Sequence, residues 1–164
     1  MTLPLRVGVI GLGMMGRNHV RVAGELDGVE LVGIADPVGD RFGIAGSTPV
    51  FESPEELLSY GIDMAVVAAP TGDHERLGLL LADAGVHTLI EKPLATSTEA
   101  AIALSDAFEA KGLIGCVGHI ERYNPSLQEL KRRLGEGQAG EIFQIATRRI
   151  GPFPSRIQDV GVVK

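Results

Sequence analysis

The chain has 164 residues, 45% of them apolar and 22% charged, which is enough for one ordinary core and too hydrophobic for intrinsic disorder. Fifteen Lys and Arg against 21 Asp and Glu leave a net charge of −6, which argues against a nucleic-acid or anionic-membrane partner. No apolar run approaches the roughly 18 residues of a membrane span, the N-terminus lacks a signal-peptide pattern, and the single Cys116 rules out an internal disulfide, so a cytoplasmic protein is expected. The 22 glycines alternate with Val, Ile, Leu and Ala, and aromatics are only 4%, a composition suited to helices packed closely on a sheet.

Along the chain, continuous apolar runs at 6–10, 30–35, 64–69, 88–91 and 114–118, with a weaker one at 49–51, predict strands covered on both faces. Helix-like stretches separate them, the pattern of βαβ units and a doubly wound parallel sheet. Ser53-Pro54-Glu55-Glu56 predicts a capped helix start with proline at its first position, and Thr96 to Glu99 repeats the capping-box spacing. The helix after Thr96 should stop at Gly112, that of 74–84 at Gly85, and Asn124-Pro125 should open one running to about Leu134. Between Asp36 and Phe51, Gly39, Gly43 and Gly46 stand where a full helix would normally lie. The segment 141–150 alternates and predicts a strand with one exposed face. Residues 1–150 are therefore expected to form one domain. Gly151-Pro152-Phe153-Pro154 suits neither helix nor central strand, and 151–164 is expected to begin a crossing into a second domain.

Gly11-Leu12-Gly13-Met14-Met15-Gly16 follows the first predicted strand and opens a helix. A bare G-x-G-x-x-G is weak, but here the next strand ends in Asp36, 20 residues after Gly16, which completes the dinucleotide-binding arrangement. The helix start offers amides and a positive dipole end to a pyrophosphate. A carboxylate at Asp36 accepts from ribose hydroxyls and repels a 2′-phosphate, so NAD is expected over NADP. Arg41 is the one nearby cation that could meet a 2′-phosphate, and a solvated loop arginine is the plainer reading.

Three further polar clusters fall at predicted strand ends, where open α/β sheets bind ligands. They are Ala69-Pro70-Thr71-Gly72-Asp73-His74, then Glu91-Lys92-Pro93, then Gly118-His119-Ile120-Glu121-Arg122-Tyr123-Asn124-Pro125. With these motifs the sequence resembles the glucose-fructose oxidoreductase / inositol dehydrogenase (Gfo/Idh/MocA) family from residue 6 to about 164. The resemblance implies an oxidoreductase moving hydride between a nicotinamide and a secondary alcohol of a sugar. It implies that Lys92 lies near the nicotinamide and the reacting hydroxyl, with Pro93 after a cis bond. Thr71 and His74 would line the nicotinamide-ribose side beside Pro70 and Glu91, and His119 and Arg122 the same pocket. The stretch from Gly118 to Pro125, followed by the run from Arg148 to Val162, is similar to the UDP-N-acetylglucosamine 3-dehydrogenase branch of the family, so a nucleotide sugar is the expected substrate and a cyclitol or free sugar the alternative. Family members continue past Asp-Val-Gly-Val to a catalytic Asp and His and an open-faced sheet domain through which they form homo-oligomers. The 164-residue chain alone is therefore expected to bind cofactor and turn over little.

Each residue also has a plainer reading. Lys92 could be a strand-end lysine reaching water, as against a proton relay whose amine is tuned by burial. His119 could cap a backbone group or position a hydroxyl, His74 could be a first-turn helix residue, and Tyr123 could be packing. Arg148, Arg149 and Arg156 could hold a pyrophosphate or be solvated singly. Cys116, within an apolar run, is expected to behave as a small hydrophobe, and no metal-site spacing is present. A rival from another class is a non-catalytic module that senses NAD, disfavoured by a lysine at the nicotinamide.

Overall fold

A computed structural model describes residues 3–148 and Ile150. Six strands appear in chain order: β1 Leu5–Ile10, β2 Val29–Ala35, β3 Val50–Phe51, β4 Met64–Val67, β5 His87–Ile90 and β6 Gly115–Val117. They form one sheet in the order β3-β2-β1-β4-β5-β6, and every pair is parallel. This is the doubly wound arrangement, with the strand order reversing between β1 and β4. Among the described residues, no helix is long and apolar enough to cross a membrane.

The helices begin and end where local chemistry directs. α1 (Gly16–Glu25) follows the glycine turn, and α2 (Pro54–Ser59) starts where the Ser53 hydroxyl oxygen accepts the Glu56 amide. α3 (His74–Asp83) gives way to Gly85 at φ 76°, a left-handed turn that glycine adopts without strain. α4 (Thr98–Ala110) is capped by Ser97, whose hydroxyl oxygen accepts the Ala100 amide at 3.1 Å, one residue later than the expected Thr96. α5 (Pro125–Gly135) is opened by Asn124, which accepts the Ser126 amide at 3.0 Å. The span from Asp36 to Val50 contains no helix, as expected.

Alternate residues of the strands supply two cores. On one face Ile10, Ala35, Ala65, Val67 and Ile90 pack with Leu57 of α2, Leu77 and Leu81 of α3, and Leu104 and Phe108 of α4. On the other face Val7, Val9, Ile34 and Val66 pack with Leu12 and with Val20 of α1. Gly8 and Gly33 are opposite each other in the β1–β2 ladder, and a Cβ on either would press on Leu57 at 2.9 or 2.6 Å. The missing side chains are what let this fully buried leucine reach the sheet.

The chain divides into two compact units, Met1–Gly118 and His119–Lys164. The first unit holds the whole sheet with α1–α4. The second holds a 3₁₀ turn, Ile120–Tyr123, and α5.

Two expectations fail. The segment expected as a strand at 141–150 has no ladder partner among its described residues, and Phe143, Ile145 and Ile150 are exposed. An alternating pattern makes a strand only where a neighbour supplies the hydrogen bonds. Cys116 is exposed, because β6 is the edge strand of the sheet. Residues 151–164, with Arg156 and the expected crossing, lie outside the described residues, as does Arg149.

Candidate functional site

The site is built on strand ends. β1, β2, β4 and β5 run parallel, so the loops after Ile10, Ala35, Val67 and Ile90 leave the sheet along one edge. The glycine turn leaves from β1, beside the point where the strand order reverses, which is where open α/β sheets bind ligands.

Gly11 sits at φ 92° and donates its amide to Ala35 O at 2.8 Å. A Cβ on Gly11 would stand 2.7 Å from the Ala69 nitrogen, and one on Gly16 would fall on the Gly11 carbonyl oxygen. These two glycines let the turn close against the β4 end and let α1 start tightly upon it. Gly13 differs: a Cβ there would meet nothing within 4 Å, so the turn faces open space. Met15, at the N-cap of α1, makes no side-chain capping bond, and the first turn has no acidic residue. Protein side chains therefore leave the helix N-terminus open to an anion.

Asp36 ends β2, and its buried carboxylate accepts the Leu12 amide at 2.7 Å on Oδ2 and the Val38 amide at 2.9 Å on Oδ1. A carboxylate has roughly four acceptor positions, so two amide donors leave capacity for ribose hydroxyls. Arg41 is exposed in the loop that follows. Arg17, in the first turn of α1, places its guanidinium 4.9 Å from the centre of the Phe42 ring, which stands in the loop on the Asp36 side.

After β4, Pro70 is exposed and Thr71 buried, in a 3₁₀ turn that leads into α3. His74 turns its ring toward the protein backbone. It is 1% exposed, with Nδ1 2.9 Å from Pro93 O and Nε2 3.0 Å from Ala69 O. A carbonyl only accepts, so a neutral ring serves one of them and a doubly protonated ring both. With both nitrogens facing backbone, the side chain ties the loop after β4 to the loop after β5.

Glu91, Lys92 and Pro93 follow β5, and the Lys92–Pro93 peptide is cis. The Lys92 side chain is exposed. Glu91 is buried, and its carboxylate accepts its neighbour's Lys92 amide at 3.1 Å and faces His19 Nε2 at 2.9 Å. The His19 hydrogen bond holds the Glu91 carboxyl below its ordinary range, against the upward pull of burial and with help from the Lys92 amide. His19 is a residue that sequence reasoning missed. Its one local signal was its place in the first turn of the fingerprint helix.

His119 and Arg122 belong to the second unit. His119 precedes the 3₁₀ turn without a side-chain capping bond, and its carbonyl accepts the Arg122 amide at 3.0 Å. Both side chains, with those of Tyr123 and Arg148, are exposed. The structure thus brings together Gly11–Gly16, Asp36, Pro70, Thr71, Glu91 and Lys92 along one edge of the first unit.

Known proteins share this framework. The chain is 32% identical to UDP-N-acetylglucosamine 3-dehydrogenase of Acidithiobacillus ferrooxidans, over 97% of this chain and 50% of that protein. It is 35% identical to inositol 2-dehydrogenase 1 of Saccharopolyspora erythraea, over 85% of this chain and 44% of that one. The crystal structure of the WlbA dehydrogenase from Bordetella pertussis, in complex with NADH and UDP-GlcNAcA, superposes with a TM-score of 0.81 at 30% identity, covering 87% of this chain and 43% of that one. The chain spans about half the length of the curated relatives it matches. Residues 5–119 match the Gfo/Idh/MocA family, described as an oxidoreductase family with an NAD-binding Rossmann fold, and the chain belongs to that family.

Proposed function

We propose that this chain is the cofactor-binding part of an NAD-dependent dehydrogenase acting on a secondary alcohol of a sugar, with the 3-hydroxyl of UDP-N-acetylglucosamine as the leading substrate. The observation that carries the reading is the meeting of the glycine turn and Asp36: an α1 N-terminus without a side-chain cap, open space over Gly13, and a carboxylate already anchored to the Leu12 amide. That arrangement fits a dinucleotide. The amides of the turn and of the α1 start would hold the pyrophosphate, and Asp36 would accept from the adenosine ribose hydroxyls while repelling a 2′-phosphate. Pro70 and Thr71 would flank the nicotinamide end.

When bound, the cofactor supplies the hydride acceptor or donor. Lys92 would hold the substrate hydroxyl and take or return its proton, with its exposed amine covered by cofactor and substrate. The nucleotide-sugar reading is supported by the relatives named for such compounds, and the 35% identity to an inositol dehydrogenase keeps a cyclitol as the second reading.

The test is a titration of NADH and of NADPH into the chain, followed by a substrate screen on the whole protein. Saturable NADH binding with weaker NADPH binding, and NAD reduction by UDP-N-acetylglucosamine, are expected. Reduction by inositol alone would move the assignment to the second reading. NADH binding without turnover of any sugar or cyclitol would favour a sensing module, and binding of neither nucleotide would overturn the proposal.

A further inference from the structure

We propose that the His19–Glu91 pair is a positioning device that registers the Lys92 segment against the cofactor helix. The idea rests on the dehydrogenase reading above for the role of Lys92, and on separate geometry for the pair. His19 lies in the first turn of α1, three residues after Gly16, and Glu91 lies 72 residues further along, at the end of β5. The Glu91 side chain is 7% exposed and that of His19 22%. A buried carboxylate without donors is costly, and this one has two: His19 Nε2 at 2.9 Å on Oε1, and the Lys92 amide at 3.1 Å on Oε2. One donor belongs to the helix that would face the pyrophosphate. The other is the backbone of the residue that carries the amine.

Gly118, at the end of β6, shows how closely the carboxylate is seated. A Cβ at Gly118 would stand 3.0 Å from Glu91 Oε2 and 3.2 Å from Oε1, so the absence of a side chain there gives the carboxylate its room. Glu91 is thus held from α1 and by the backbone of its own next residue, in a space that Gly118 leaves open. The Lys92 nitrogen is held by the same group that grips the cofactor helix. A group that must meet the reacting atoms closely is sensitive to shifts of about 1 Å, which can cost about 100-fold in rate. Loss of the pair should therefore lower turnover while leaving the glycine turn and Asp36 to bind cofactor.

The experiment uses the whole protein with Glu91→Gln, His19→Ala, His19→Gln and the double variant Glu91→Gln/His19→Ala. Turnover in His19→Ala and Glu91→Gln is expected to fall about 10- to 100-fold, with the NADH Kd of His19→Ala changed by less than about threefold. His19→Gln, whose amide N–H can replace the Nε2 donor, should restore most of the rate, and the double variant should be no slower than the slower single one. Equal losses in Kd and kcat, additive losses, or failure of the glutamine to rescue would overturn the proposal. A second readout does not depend on the reaction: the Lys92 amide resonance of the 15N-labelled chain should shift in His19→Ala and return in His19→Gln. An unmoved Lys92 amide overturns the positioning role, whereas a wild-type protein that oxidises no sugar or cyclitol overturns the dehydrogenase reading.

Discussion

The Asp36 carboxylate accepts the backbone amide of Leu12 at 2.7 Å, so the end of β2 holds the glycine turn in place before any ligand arrives. Both residues are buried. Replacing Asp36 by alanine leaves that amide without its acceptor and is expected to destabilise the chain by about 1–3 kcal/mol. NADH binding should weaken as well. Asp36→Asn, which keeps one of the two acceptor oxygens, should recover part of the stability in thermal unfolding while easing the discrimination against NADPH in a parallel titration.

The fingerprint glycines should separate by function. Gly16→Ala places a methyl on the Gly11 carbonyl oxygen and should abolish folding or leave a strongly destabilised chain. Gly13→Ala meets nothing in the protein, so its stability should stay within about 0.5 kcal/mol of wild type. Its NADH affinity should nevertheless fall, because the methyl enters the space left for the pyrophosphate. Urea unfolding beside a fluorescence titration tests both, and unchanged NADH binding in Gly13→Ala would place the nucleotide elsewhere.

His74 should behave as a structural link. His74→Leu removes the ring that faces the part-buried carbonyls of Ala69 and Pro93, at an expected cost of about 1 kcal/mol for each hydrogen bond lost. If the side chain touched cofactor directly, the NADH Kd would suffer at temperatures where the variant is fully folded. Calorimetry combined with titration at low temperature distinguishes the two.

Acid should loosen the site through Glu91. Its folded carboxyl titrates below the ordinary value of 4.5, chiefly because of His19, so the unfolded chain takes up a proton first as pH falls. The stabilisation is complete above that ordinary value and declines as pH drops through the folded one. Urea midpoints for wild type and Glu91→Gln should differ most near neutrality and converge in acid. Glu129 is also held low, to about 2, by Arg132 and Arg133 on α5, but these side chains are exposed and the pair contributes little. A gap between wild type and Glu91→Gln that stays constant with pH would show that the carboxylate is not the titrating group.

Much of the framework was legible in the sequence because its signals are local. Both faces of the central strands are covered, so Val7–Ile10 and Ala65–Val67 appear as unbroken apolar runs, and Ser53, Gly85, Gly112 and Asn124 mark helix ends by their own backbone chemistry. What escaped depends on partners distant in sequence. The run containing Cys116 looks like its neighbours, but only the sheet order reveals that β6 is an edge. Phe143 and Ile145 alternate as a strand would, and nothing local says whether a ladder exists for them. The His19–Glu91 contact joins positions 72 apart, and neither residue announces the other.

The stretch between β2 and β3 turns three times at Gly39, Gly43 and Gly46, all at positive φ, and none of residues 37–49 is fully buried. Of its residues, the half-buried Ile44 and Ala45 pack against the core that holds Val7, Val9, Leu12 and Val20. Outside those two positions it is an exchangeable cassette beside Asp36. Its length and charge can drift, or be redesigned toward a phosphorylated nucleotide, with little penalty to the sheet. Asp36 itself stands outside that freedom, because the same carboxylate also anchors the Leu12 amide.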